Sequence, residues 1–365
     1  MPIKACSEFD TLDGSPGPPT DTSPNYDRSV PGNDRTPSPA SFLEGHTAGA
    51  EETTEETSGS DPLPLVSVVV ATKNRPDMFS RALAAILAQD YVGDVEVVVV
   101  LDGESYPGLV EGTSNGTALR IVPNRRMPGL AGGRNTGILA SRGALIALCD
   151  DDDEWKSDKL RRQVDLLLSD PSVVVVGSGI EIVSDVASFE RRGSHTVVTH
   201  QDLLRDRVPE LHPSTLLVRF PQAAEGDRVL VDEELPGGYG EDYDWLLRLS
   251  KLGTIRSVPE PLVRVHWHIG SYYSGRWEMI AEAVGYLLEK HPDLRADRSG
   301  AARLEAKRAF ALAASGSRAQ GARLALTAMR HRLAERRAWV ALAVAARLVS
   351  ADRVQQALNR RGRGM

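Results

Sequence analysis

Four consecutive aspartates, Asp150 to Asp153, follow the apolar run Ala144–Cys149 and precede Glu154 and Trp155. Acids at this density repel one another unless protons or a cation relieve the charge. Hard carboxylate oxygens suit Mg²⁺ or Mn²⁺, and Mg²⁺ sites often combine one or two carboxylates with substrate phosphates. The other reading is a solvated acidic turn that caps the next helix, since Asp is a good N-cap. Position separates the two. The apolar run reads as a buried strand, and ligands of open α/β sheets bind beyond the carboxyl ends of strands.

Further residues carry chemistry of the same kind. Asp102 closes the run Val95–Leu101; it reads as an acceptor for a base N–H or a ribose hydroxyl, or as an ordinary Asp-Gly turn. Gly129, Gly132 and Gly133 open a helical segment, where free N–H groups favour anions, and Arg134 follows as a phosphate partner. Neither a P-loop nor a dinucleotide-binding GxGxxG after a strand is present. Glu241 and Asp242 stand behind Gly237, Gly238 and Gly240 at the start of a helix, where acids also serve as caps. Alternation through Arg264-Val265-His266-Trp267-His268 puts both histidines on one side of an extended segment.

The elements that must position these groups are legible as an α/β rhythm. Leu65–Ala71 reads as a strand and Asp77–Gln89 as a helix, with Pro76 in its first turn, where a missing N–H costs nothing. Val95–Leu101 and Leu119–Val122 read as strands, Gly129–Ala140 as a helix, and Ala144–Cys149 as the strand that delivers the aspartates. This predicts an α/β fold with a Rossmann-like, mostly parallel sheet flanked by helices.

Charge divides the chain into three. Residues 1–62 hold twelve acids and three bases among Pro, Ser, Thr and Gly, a composition that predicts disorder because it buries too little apolar surface. Residues 63–294 form the globular domain. Residues 295–365 hold sixteen bases and four acids with much Ala and Leu, and read as a helical extension with turns at Gly316 and Gly321. That basic end suits either a peripheral contact with anionic lipid or simple solvation. Cys6 and Cys149 suggest no disulfide framework, so a reduced, cytoplasmic setting is expected. No signal-peptide pattern is visible at the N-terminus. The longest apolar stretch, Ala338–Val349, contains Arg347 and falls short of the roughly 18–20 residues of a membrane helix.

Taken in order, five segments resemble the inverting, family 2 glycosyltransferases with the GT-A fold, over about Leu65 to Ser271. They are VSVVVATKNRPDMFSRALAAILAQDY, VEVVVVLDG, GGRNTGILASRGALIALCDDDDEW, GYGEDYDWLLRLSKLG and LVRVHWHIGSYYS. The resemblance implies that Asp102 recognises the donor base, although the family usually has two acids before this glycine and Leu101 replaces the first. It implies that Asp150 and Asp152 form the D-x-D pair meeting ribose and metal, and that Asp153 is the adjoining acid that takes the metal role in some members. Arg134 matches a basic position on the donor side, Asp242 the general base, and His266 (ahead of His268) a partner of the diphosphate or metal.

The implied activity is transfer of a sugar from a nucleotide-diphosphate sugar to an acceptor hydroxyl with inversion, assisted by Mn²⁺ or Mg²⁺. A glycan, a lipid-linked glycan or a small molecule would be the acceptor, with no nucleic-acid partner. The cation would stabilise charge on the departing diphosphate while a carboxylate accepts the hydroxyl proton. Two alternatives differ in class. A catalytically silent binding protein would not need a base opposite a metal. A nucleotidyltransferase would carry a glycine-rich, basic first loop, where this chain has Thr72-Lys73-Asn74-Arg75-Pro76.

Overall fold

The computed structural model describes residues 62–359 except 104–105, 107–108, 115, 185–187, 221–228 and 267–272. The acidic segment 1–61 and His268 lie outside the described residues.

Strand–helix alternation begins with β1 (Val66–Thr72), α1 (Pro76–Leu87) and β2 (Val95–Leu101). It continues through the hairpin β3 (Gly112–Ser114) and β4 (Thr117–Pro123), then α2 (Leu130–Ala140) and β5 (Leu145–Asp150). Next come β6 (Glu154–Trp155), α3 (Lys159–Leu168), β7 (Val173–Val183), β8 (Ser188–Arg191), β9 (Val197–Val198) and α4 (His200–Arg205). The strand β10 (Leu217–Arg219), α5 (Glu241–Leu249) and β11 (Thr254–His266) complete the layer around the sheet. Helices follow: α6 (Trp277–Lys290), α7 (Pro292–Ala296), α8 (Arg298–Ala314), α9 (Arg318–His331), α10 (Arg336–Ala345) and α11 (Ala351–Asn359).

The sheet is mixed and mostly parallel, in the order β3-β4-β2-β1-β5-β10-β7-β11-β6. Strands β4, β2, β1 and β5 run parallel, β10 is inserted antiparallel between β5 and β7, and β11 runs parallel to β7. Register pairs Thr72 with Leu101 and Ala71 with Asp150, so β1, β2 and β5 end side by side. Every charged group that follows those ends is therefore brought to one edge.

Alternation along β1 shows why the segment is a two-sided core strand. Val66, Val68 and Val70 pack with Phe79 and Ile86 of α1 and Leu160 of α3, whereas Val69 packs with Ile138 of α2 on the opposite face. All are essentially unexposed, as a parallel strand covered on both faces requires. Glycines of α2 set its distance from the sheet. A Cβ on Gly137 would lie 2.2 Å from Val69 Cγ1, and one on Gly133 would lie 2.9 Å from Ala71 Cβ. Both glycines serve close helix–strand packing, Gly133 at a position where the sequence suggested room for an anion.

Two other stretches differ from the sequence expectation. Residues 177–213 carry no motif and have glycines at 177, 179 and 193, as a loop would, yet β7 runs through Val183 and is followed by β8, β9 and α4. Glycines at 177 and 179 interrupt the apolar pattern without ending the strand. Gly321 marks no turn; it lies inside α9, where a Cβ would meet Ala309 O of α8 at 2.7 Å. Gly316, at φ 103°, is the turn between those helices. The terminal helices share the main core, with Leu304 and Phe310 of α8 joining Trp245 and Trp277. Among the described residues, no helix is long and apolar enough to cross a membrane.

One core position is unfavourable. Lys159 is fully buried, its Nζ stands 3.8 Å from the centroid of the Trp155 ring, and that nitrogen has no hydrogen-bond partner among the described residues. Burial pushes its pKa down to about 7. Between that value and the ordinary lysine range the folded chain binds fewer protons than the unfolded one, so stability should rise with pH. An apolar side chain of similar length removes the cost of burying an unpaired charge, part of which the lost ring contact offsets. Lys159→Met is accordingly expected to melt higher than wild type at neutral pH. It should also gain less stability between about pH 6 and about pH 9, read by melting curves. A lower melting temperature at neutral pH would show that the ammonium–ring contact dominates.

Candidate active site

The end of β2 carries a pre-formed acceptor. Asp102 Oδ1 accepts from Asn124 Nδ2 at 2.7 Å, and Oδ2 accepts from Gly129 N at 3.0 Å and Lys73 Nζ at 3.2 Å. Burial opposes ionisation, but these three donors outweigh it and hold the carboxyl below its ordinary pKa. Gly129, at φ 113°, orients one of the donors.

The aspartates behind β5 separate into different environments. Asp150 takes Arg134 Nη2 on Oδ1 at 2.6 Å, and its own N–H donates to Ser214 Oγ at 3.0 Å. That hydroxyl in turn donates to Asp153 Oδ2 at 2.5 Å. Asp151 is tied back to β1 by Thr72 Oγ1 at 2.6 Å and by Arg75 at 3.4 Å. Asp152 faces Arg75 at 3.3 Å and keeps about a quarter of its side chain exposed. Burial and the neighbouring acids Asp150 and Asp151 push Asp152 up to about 6. Asp153 is raised well above the carboxylate range by burial and by Asp150, so its charged form is the one a cation would rescue.

His212, in the segment ahead of β10, completes a set that sequence reasoning missed. Its Nδ1 stands 3.4 Å from Asp153 Oδ2 and its Nε2 4.0 Å from Asp150 Oδ2. Among the described residues, Asp150, Asp153 and His212 form the set whose ligand atoms lie within 4.8 Å of one another. Burial lowers the His212 pKa, which favours the neutral imidazole that metals bind. The two carboxylates suit Mn²⁺ or Mg²⁺, and a neutral imidazole is a common metal ligand beside them. The structure does not bring Asp152 or His266 into this set. His266, at the end of β11, instead places Nε2 2.9 Å from Glu154 Oε1. The linking signal for His212 is tertiary: 59 residues of chain separate it from Asp153, and no motif surrounds it.

Arg134 joins the donor side to the helix carrying the second acid cluster. It is almost fully buried and spans Asp150 and Glu241. One guanidinium shared by two acids leaves a negative charge in excess. Asp150 is held low by Arg134 against its burial, while burial pushes Glu241 up to about 7 against the pull of Arg134.

Gly240, left-handed at φ 89°, starts α5 and presents Asp242 in its first turn. Asp242 pairs with Arg207, its Oδ1 accepts from Tyr243 N at 2.8 Å, and its pKa is lowered because Arg207 outweighs its burial. Asp244 points elsewhere. It is enclosed by His291, Lys290 and Arg248, which hold it near about 2 despite burial.

Comparison with known proteins shows what this edge of the sheet is similar to. Residues 67–221, which span β1, Asp102, Arg134, the four aspartates and His212, match the model of Glycosyl transferase family 2. That segment is similar to the family 2 glycosyltransferases. An uncharacterised glycosyltransferase of Haemophilus influenzae is 25% identical, over 56% of this chain and 66% of that one. The succinoglycan biosynthesis protein ExoO of Rhizobium meliloti is 41% identical, over 29% of this chain and 30% of its own length. The chain thus spans two thirds or less of these curated relatives. Among solved structures, S. aureus TarS in complex with UDP-GlcNAc superposes with a TM-score of 0.54 at 19% identity, covering 82% of this chain and 92% of that one. The described residues therefore have a GT-A-like fold.

Proposed function

We propose that this protein transfers a sugar from a nucleotide-diphosphate donor to an acceptor hydroxyl with inversion at the anomeric carbon. The observation that carries the reading is the juxtaposition of a buried acid–imidazole set at the end of β5 with Asp242 in the first turn of α5, next to the Glu241 that Arg134 ties to Asp150. Asp102, with its carboxylate already oriented by Asn124 and Gly129, would accept from the donor base. Asp150 and Asp153 with His212, or Asp152 of the D-x-D pair after a side-chain turn, would hold Mn²⁺ or Mg²⁺. A divalent cation there would neutralise charge on the departing diphosphate.

The chain's own groups account for the remaining steps. Ser214 and Arg134 keep the acids oriented. Asp242 would accept the hydroxyl proton as the hydroxyl attacks the anomeric carbon, so that one displacement inverts configuration without a covalent intermediate. A screen of nucleotide-sugar donors, reading nucleoside diphosphate release with Mn²⁺ and with chelator, tests the function. Absence of release with every donor, despite tight nucleotide binding, would favour a binding protein on the same fold.

A peripheral membrane contact is proposed for the C-terminal helices. Leu326, Leu333 and Trp339 are exposed beside Arg330, Arg332 and Arg336. Exposed Trp and Leu with flanking bases suit an anionic interface. Sedimentation with anionic vesicles should fall for the Leu333→Ala, Trp339→Ala double variant; unchanged sedimentation would remove the proposal.

A further inference from the structure

The loop between β4 and α2 is exposed, yet it supplies two of the three donors on Asp102, from Asn124 and Gly129. Residues 125–130 lie at the surface, with Met127 54% exposed, so burial does not hold them. Arg126 and Met127 grip Asn124 from within the loop. Asn124 Oδ1 accepts from Arg126 N at 3.0 Å, and Asn124 Nδ2 donates to Met127 O at 3.1 Å.

One carboxylate grips the same two residues from outside. Glu233 Oε1 pairs with Arg126 Nε and accepts from Asn135 Nδ2 at 2.6 Å, and Oε2 accepts from Met127 N at 3.2 Å. Glu233 itself stands on a fixed post. Val231 is buried, its N–H donates to Asn135 Oδ1 at 2.8 Å, and its carbonyl accepts from Asn135 Nδ2 at 2.8 Å. Asp232 Oδ2 accepts from Tyr286 Oη at 2.9 Å and from Lys290 Nζ at 2.5 Å. The post is thus anchored to α2 and α6, and the exposed loop is tied to it. A carboxylate suits that place, because it takes a guanidinium and a backbone N–H at once and bonds to a charged acceptor are the stronger kind.

We propose that Glu233 is a positioning residue for the base of the donor nucleotide. By holding Arg126 and Met127 it keeps Asn124 and Gly129 on Asp102, so the acceptor carboxylate is oriented before the nucleotide arrives. The cost of ordering the loop then does not fall on binding. The inference rests on the reading of Asp102 as the group that accepts from the base.

The probes are UDP, GDP, CDP and ADP, with ribose 5-diphosphate as the base-free control, titrated calorimetrically into the full chain with Mn²⁺. Glu233→Ala should bind the preferred nucleotide at least about tenfold more weakly, the loss expected when a charged hydrogen-bond partner is removed. Its affinity for ribose 5-diphosphate should stay within about twofold of wild type, the tolerance for independent sites. Glu233→Gln, which keeps an oxygen for the Met127 N–H, should fall between Glu233→Ala and wild type. With Asp102→Ala already in place, Glu233→Ala should cost no more than about twofold further, because both act on one contact. Equal losses for nucleotide and ribose 5-diphosphate would mark a purely structural role, and unchanged nucleotide affinity would leave no role; either result overturns the inference. Unchanged affinity in Asp102→Ala alone would count against the reading of Asp102 instead, and a base-selective loss in Glu233→Ala would still support the tethered loop. Should no nucleotide bind, the proposed activity fails, while amide exchange across residues 125–130 still reads the tether: it should quicken in Glu233→Ala, and unchanged exchange would overturn the inference.

Discussion

Asp242→Asn is expected to fold normally, bind nucleoside diphosphate with metal, and transfer sugar at least about a hundredfold more slowly, the usual range for loss of a general base. Asn preserves the size of the side chain and an oxygen to accept the Tyr243 N–H, so the first turn of α5 keeps its local bond. Arg207 loses a charged partner but is 44% exposed, and water can replace much of that pairing. Stability should therefore change little while proton acceptance is lost. Single-turnover transfer with a donor from the screen, alongside a melting curve, checks both halves. Near wild-type transfer would move the proton acceptor to Glu241, which burial raises to about 7. Asp244 is no candidate, because His291, Lys290 and Arg248 enclose it.

The second large effect concerns the cation. Chelation should weaken nucleoside diphosphate binding at least about tenfold, since an acidic edge repels a diphosphate when no cation intervenes. Asp153→Asn should reproduce most of that loss. Asp153 is buried beside Asp150 and His212, and its charged form is disfavoured until a cation arrives. Asp152→Asn should do less, because Asp152 stands outside that set and meets Arg75. Calorimetric titration of both variants with Mn²⁺ and with chelator separates the assignments. A loss confined to Asp152→Asn would place the cation on the D-x-D pair, and equal wild-type affinity with and without chelator would remove the metal altogether.

Local pattern determined much of this protein. The valine-rich run at 66–70, the valines at 97–100 and the apolar run at 144–149 read as buried strands, and the acids that follow Leu101 and Cys149 emerge beyond strand ends. The acid run, Asp102 and the acids after Gly240 were thus legible from chain position, because strand ends and helix starts are short-range features. Tertiary structure alone decided who partners whom. His212 reaches Asp150 and Asp153 because β10 is inserted antiparallel beside β5, a sheet order that no window of sequence encodes. Arg134 lies between Asp150 and Glu241, more than a hundred residues from the latter, because Gly133 and Gly137 let α2 settle on β1. Lys307 and Arg303 read in sequence as ordinary bases of a solvated helix. Only the packing of α8 through Leu304 and Phe310 against the core brings them to Tyr239 and Tyr243. Periodicity tells which face of an element is buried, whereas the identity of the surface that covers it depends on contacts between residues far apart in the chain.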